Sequence, residues 1–190
     1  QNPGLTIVAL GPLTNVAIAL NLYPELQGWL GAIVSMGGAL GRGNVTPHAE
    51  FNYYADPESV RAVLDSTVPL TVVTWDAALK MAHTEEQIRA LGVEDGRCGK
   101  LLLEMHQPLF SYMEKAFGQR VATFPDPLAM AYAADPALSR QQTNGDLTVE
   151  STDSPRRGAT TRRTGERVKL ITEIDKAGFQ SILLEIHDLA

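Results

Sequence analysis

A chain of 190 residues with 44% hydrophobic residues can bury a sizeable core and is read as one domain over residues 1–190. Sixteen basic against twenty-two acidic side chains leave a net charge of −6, which argues against nonspecific attraction to nucleic acid or to an anionic membrane surface. No run approaches eighteen apolar residues, and Gln1-Asn2-Pro3-Gly4 lacks a basic and then apolar leader, so neither a membrane span nor a signal peptide is expected and a cytoplasmic location is favoured.

Leu5 to Leu10 is a continuous apolar and β-branched run, which predicts a strand buried on both faces. Gly11-Pro12 turns the chain, and Leu13, Val16, Ala17 and Leu20 then share one helical face until Pro24 ends the pattern. Thr14 and Asn15 read as caps of that helix. Ala32 to Met36 predicts a second strand running into Gly37-Gly38, followed by a Gly-, Asn- and Pro-rich loop from Ala39 to Asp56. Pro57 to Ser66 predicts a helix capped by Asp56, and Pro69 to Trp75 a third buried strand. Short connections and the strand–helix alternation imply an α/β fold with a mostly parallel, open sheet flanked by helices.

The second half is more helical. Leu101 to Phe117 predicts a helix, with Leu102, Met105, Leu109, Tyr112, Met113 and Ala116 at helical spacing and a kink at Pro108. Asp126 to Ala134 predicts a further helix with Asp126 as its N-cap or as a ligand. Leu147 to Glu150 and Val168 to Ile174 are candidate strands, Arg156-Arg157 and Arg162-Arg163 mark a solvated hairpin, and Lys176 to Leu189 is a closing helix. Cys98 stands alone and is read as inert, and His48, His83, His106 and His187 have no ligand spacing.

Ligands of open parallel sheets bind beyond the carboxyl ends of the strands. The segments placed there are Gly11-Pro12-Leu13-Thr14-Asn15, then Met36-Gly37-Gly38 leading to Asn44 through Asn52, and Trp75-Asp76. They carry oxygen donors and amides, which suit a hard cation such as calcium better than zinc. In an extended segment Glu50 and Asn52 point one way and Phe51 the other, giving a polar site backed by a packed ring, or else a solvated loop with one buried Phe. Trp75 is either packed at a strand end or open to a ligand. The glycines at 37, 38, 41 and 43 match no phosphate-binding loop and no dinucleotide fingerprint.

Taken in order, Gly-Pro-Leu-Thr-Asn, Met-Gly-Gly, Asn44 through Asn52, Ala55-Asp56-Pro57-Glu58 and Asp126-Pro127-Leu128-Ala129 resemble the inosine-uridine-preferring nucleoside hydrolase family over nearly the whole chain. The resemblance implies calcium-dependent hydrolysis of the N-glycosidic bond of ribonucleosides, hence a role in nucleoside catabolism and purine metabolism. It also implies a nucleoside as the ligand, with room for a homo-oligomer. Carried over by position, it makes Thr14 (through its carbonyl) and Asp126 the metal ligands. Met36, Asn44, Glu50, Asn52 and Asp126 become substrate-binding, with Trp75 among the candidates to meet the base.

Two departures shape the expectation. The family carries an Asp-x-Asp segment and paired aspartates that supply further calcium ligands and the general base, and nothing before Leu5 matches it. The expectation is therefore an N-terminally truncated family member that binds calcium weakly and lacks its catalytic base. Pro125 stands where many members have the His that protonates the leaving base. The alternative is a noncatalytic nucleoside- or ribose-binding member.

Overall fold

The computed structural model describes residues 4–90 and 97–188, with the backbone alone for 97–99, 102, 184 and 186–188. In chain order the elements begin with β1 (Leu5–Ala9), α1 (Thr14–Leu22), α2 (Leu26–Trp29), β2 (Leu30–Met36), α3 (Phe51–Ala55), α4 (Pro57–Asp65) and β3 (Leu70–Val73). They continue with α5 (Trp75–Lys80), β4 (His83–Thr84), α6 (Glu85–Ala90), α7 (Arg97–Phe117), β5 (Val121–Ala122) and α8 (Pro125–Ala134). A 3-10 turn at Pro136–Leu138 leads into β6 (Ser139–Val149), β7 (Thr160–Ile174) and α9 (Lys176–Asp188).

The main sheet has the order β1-β2-β3-β7-β6. Its first four strands are parallel, with Met36 opposite Val73 and Val73 opposite Ile171, and β6 pairs antiparallel with β7. Neighbouring residues on each central strand enter opposite cores, as the two-residue period of a strand requires. Val34, Val73 and Ile171 pack with residues of α5, α7, α8 and α9 on one face. Ile33, Val72 and Leu170 pack with residues of α1 and α4 and with Tyr53 on the other. Each fully buried Leu, Ile or Phe contributes about 1.5–3 kcal/mol of hydrophobic stabilisation relative to exposure.

The expected strands and helices are present, with instructive differences. β1 is not buried on both faces: it is an edge of the described sheet, and Leu5 is 55% exposed. The expected loop from Ala39 to Asp56 contains the short helix α3, capped by the Glu50 side chain. Trp75 does not end a strand but opens α5, which Thr74 caps. α7 contains Pro108, yet it buries Leu103, Phe110 and Met113 and leaves Met105 and Tyr112 exposed. Of the residues read at helical spacing, Met113 is buried and Leu109 packs against the core, while Met105 and Tyr112 lie on the exposed margin of the apolar face. The candidate strands near Leu147 and Val168 belong to one long hairpin, and Arg157 at its turn is half-buried against Glu58 rather than free in solvent. The expectations for the side chains of Cys98, Leu102 and His187 lie outside the described residues. Among the described residues no helix is long and apolar enough to cross a membrane.

Candidate functional site

The carboxyl ends of β1, β2 and β3 open side by side, because the strands are parallel and nearly in register. Beyond β2 the chain makes the turn Gly37-Gly38. A Cβ on Gly37 would lie 2.3 Å from the Tyr53 ring, and Gly38 has a positive φ of 66°, so side chains are excluded there. The turn carries the Gly38 N–H to Glu50.

Glu50 is 2% exposed and is held by three backbone donors. Its Oε1 accepts from Asn52 N–H at 2.8 Å, and its Oε2 accepts from Gly38 N–H at 2.9 Å and Tyr53 N–H at 3.2 Å. An ionised carboxylate offers about four acceptor positions, so one remains open. Burial pushes the Glu50 carboxyl up, its three backbone donors pull it down, and the charge of Asp126 adds to the rise, which leaves it above the ordinary range. That influence places Asp126 within electrostatic reach of Glu50.

Asn52, 7% exposed, directs Nδ2 at the Leu10 carbonyl at 3.3 Å, the Met36 carbonyl at 3.1 Å and Met36 Sδ at 3.3 Å. Two carbonyl neighbours fix which end of the amide is nitrogen. No donor meets its Oδ1 among the described residues, so this oxygen is an open acceptor. Asn44 accepts the Phe51 N–H on Oδ1 at 2.8 Å, and its own carbonyl accepts the Tyr112 hydroxyl, which leaves Nδ2 as an open donor. Met36 is 2% exposed and lies beneath this amide cluster.

Glu50 and Asn52 face the same interior, as expected, but the packed ring behind them is Tyr53 at 0% exposure, whereas Phe51 is 54% exposed. The reason is local: Glu50 is extended, and the chain then turns helical, so the alternation of an extended segment ends at Glu50.

Asp126 is not an N-cap. Phe124 occupies that position without a side-chain bond, Pro125 opens α8 and Asp126 follows in its first turn. Burial alone pushes its carboxyl above the ordinary range. It has no hydrogen-bond or ion-pair partner among the described residues.

Thr14 stands just beyond the turn that follows β1. It is the first residue of α1, so its carbonyl points along the helix to the next turn, and neither it nor Asn15 caps. Its hydroxyl donates to Asp56 Oδ2. The carbonyl that faces the cluster belongs to Leu10, at the end of β1, and the general preference for strand ends was the signal that could have found it.

Trp75 is 3% exposed, its backbone N–H donates to the Gly38 carbonyl at 2.9 Å, and its ring lies 6.4 Å from that of Phe117. Its Nε1 is buried without a partner among the described residues. Asp76 holds the loop with both carboxylate oxygens, accepting from Leu40 N–H at 2.7 Å and Gly41 N–H at 2.9 Å. Arg42 closes the wall, donating to the Ala116 carbonyl at 2.7 Å and lying 4.4 Å from the Phe117 ring centre. No group of three His, Cys, Asp or Glu side chains able to hold a metal occurs among the described residues.

The model of the family described as inosine-uridine preferring nucleoside hydrolase matches residues 1–181. The non-specific ribonucleoside hydrolase RihC of Escherichia coli O139:H28 is 33% identical over 98% of this chain and 61% of its own length. The pyrimidine-specific ribonucleoside hydrolase RihA of Shewanella woodyi is 33% identical over 95% of this chain and 60% of its own length. Among solved structures, the purine-preferring ribonucleoside hydrolase from Gardnerella vaginalis superposes with a TM-score of 0.85 at 28% identity, covering 98% of this chain and 62% of that one. The chain thus spans about 61% of the length of the curated relatives it matches.

Proposed function

The chain belongs to the inosine-uridine preferring nucleoside hydrolase family, and on that premise we propose that residues 1–190 form one domain carrying the ribose- and metal-binding part of a calcium-dependent nucleoside hydrolase. One observation supports this most: the open hydrogen-bonding capacity at the strand ends is that of a polyhydroxylated ligand. Among the described residues Asn52 Oδ1 and one Glu50 lone pair are open acceptors, Asn44 Nδ2 is an open donor, and the Asp126 carboxylate has no partner. The relatives' names differ in the base and agree on the ribonucleoside, which fits a site whose polar groups address the sugar.

The donors fit a hard cation. Asp126 would hold it with a carboxylate that burial leaves uncompensated, and the Leu10 carbonyl replaces that of Thr14 as its main-chain ligand. Calcium takes six to eight oxygens, so the other positions fall to water, ribose hydroxyls and groups outside the described residues. Bound there, the ion would lower the pKa of a coordinated water and anchor vicinal hydroxyls. The chain's own residues orient the sugar: Asn52 and Asp126 address the 2′- and 3′-hydroxyls, Asn44 and Glu50 the 5′-hydroxyl, and Met36 packs beneath. Trp75 backs this pocket as a wall residue, with only its Nε1 free for a polar contact.

Hydrolysis breaks the C–N bond, the bonding pair leaves with the base, and water adds at the anomeric carbon. Negative charge on Glu50 and Asp126 favours the positive charge that develops on the ribosyl ring. The departing base needs a proton, and Pro125 cannot give one. That observation favours the second reading, a member that binds nucleosides without cleaving them.

Ribose release from nucleosides separates the two readings. It is measured with calcium and with a chelator, for the chain itself and for a chimera in which it replaces the matching 61% of RihC. Calcium-dependent release that disappears in Asn52→Ala is expected. Nucleoside binding without release supports the second reading, and neither binding nor release by either protein overturns both.

A further inference from the structure

Four consecutive residues leading into β7 each hold a different point of the segment that carries the site. Arg157 donates from Nη1 and Nη2 to the two oxygens of Glu58 at 3.0 and 2.9 Å. Gly158, with a φ of 75°, lies flat on Tyr54, where a Cβ would come within 2.4 Å of the Tyr54 Cα. Ala159 forms an antiparallel bridge with Ala49. The Thr160 hydroxyl donates to the Ala39 carbonyl at 2.6 Å and accepts from the Ala39 N–H at 3.1 Å.

The contacts run in reverse order along the partner segment, at 58, 54, 49 and 39, so the hairpin turn braces residues 39–58 at four points. The last contact matters most for the site. Ala39 follows Gly38, whose N–H meets Glu50 Oε2, and Thr160 Cγ2 lies 3.4 Å from the position a Gly38 Cβ would take. A residue 121 positions away along the chain thus fixes both the peptide after Gly38 and the space beside it.

We infer that Thr160 is a positioning residue for Glu50: it pins the 37–39 turn so that Gly38 N–H fills one acceptor site of the carboxylate and the remaining one faces the ligand. The ligand's being a ribose rests on the functional reading above; the pinning does not. The hydroxyl is the active part, because the methyl contact alone leaves the Ala39 peptide without either partner.

The test compares Thr160→Val, which keeps the shape and removes the hydroxyl, with Thr160→Ser, which keeps the hydroxyl. Amide hydrogen exchange is read at Gly38 and Ala39, with Val72 and Val73 of β3 as controls, together with inosine affinity by calorimetry in calcium. Loss of one hydrogen bond of ordinary strength corresponds to about tenfold. Thr160→Val should speed exchange at Gly38 and Ala39 by about that factor, leave β3 unchanged and weaken inosine to a similar extent. Thr160→Ser should restore both. Unchanged exchange at Gly38 and Ala39, or an equal rise throughout β3, overturns the inference. If the wild-type chain binds no inosine, the ribose reading fails while the exchange measurement still decides whether Thr160 positions the turn.

Discussion

Asn52 places its side-chain nitrogen 3.3 Å from the carbonyl oxygen of Leu10, forty-two residues earlier, and so ties the end of β1 to the first turn of α3. The bond is long, and the carbonyl keeps a lone pair to share with a second partner. The same nitrogen serves Met36, so one amide holds the ends of two adjacent strands.

That double role predicts a stability cost separate from any catalytic one. Asn52→Ala removes the donor shared by the buried Met36 carbonyl and the half-buried Leu10 carbonyl, and leaving a buried group unsatisfied costs about 1–3 kcal/mol. Asn52→Asp should be at least as damaging at neutral pH, because it turns a carboxylate oxygen toward carbonyl oxygens. Urea denaturation of the three proteins checks the order, and equal midpoints would show that the amide does not satisfy those carbonyls.

Asp56 predicts a pH dependence. Burial alone would raise its carboxyl, but hydrogen bonds from Thr14 and Ser59, with the nearby Arg157 charge, outweigh this and hold it below the ordinary value of 3.8. A folded-state pKa below the unfolded one means that the unfolded chain binds the proton more readily. The stabilisation is therefore fully present above pH 3.8 and is lost as pH falls through the lowered folded value. Asp56→Ala, which also removes the α4 cap, should cost about 0.5–2 kcal/mol at neutral pH. The gap to wild type should narrow as pH falls below 3.8, as read from urea midpoints across an acid series.

The sparse donor set predicts weak calcium binding. With one free carboxylate and one carbonyl from the described residues, the 190-residue chain should bind calcium no more tightly than ~10⁻⁴–10⁻³ M, the range of weak calcium modules. Asp126→Asn should abolish the heat of binding and any rise in melting temperature. Tight binding in a calorimetric titration, or a response that survives in the variant, would contradict the assignment.

Pro125 predicts a dependence on the leaving group. Without an acid at this position, cleavage of inosine is expected to lag by ~10²–10⁴, the usual contribution of general acid catalysis. A nitrophenyl riboside, whose leaving group departs as a stable anion, should escape that penalty. Comparison of the two substrates in the chimera with RihC checks this, and equal rates would mean that another side chain, such as the exposed His48, supplies the proton.

The sequence by itself determined the parts of this protein that depend on neighbouring residues. The apolar runs at Leu5, Ala32 and Pro69, the Asp56-Pro57 helix start and the turn at Gly37-Gly38 all follow from side-chain periodicity and backbone sterics over a few positions, and they sufficed for the mostly parallel sheet. The tertiary structure decided what depends on distant partners. It put the Leu10 carbonyl beside Asn52, exchanged Phe51 for Tyr53 as the buried ring, chose the side of α7 that meets the core and brought Thr160 to Ala39. Local propensity cannot fix such choices, because a carbonyl's direction or a helix's rotation is set by which of several acceptable contacts the packed layers permit, and that is resolved only when strands and helices far apart in sequence close on one another.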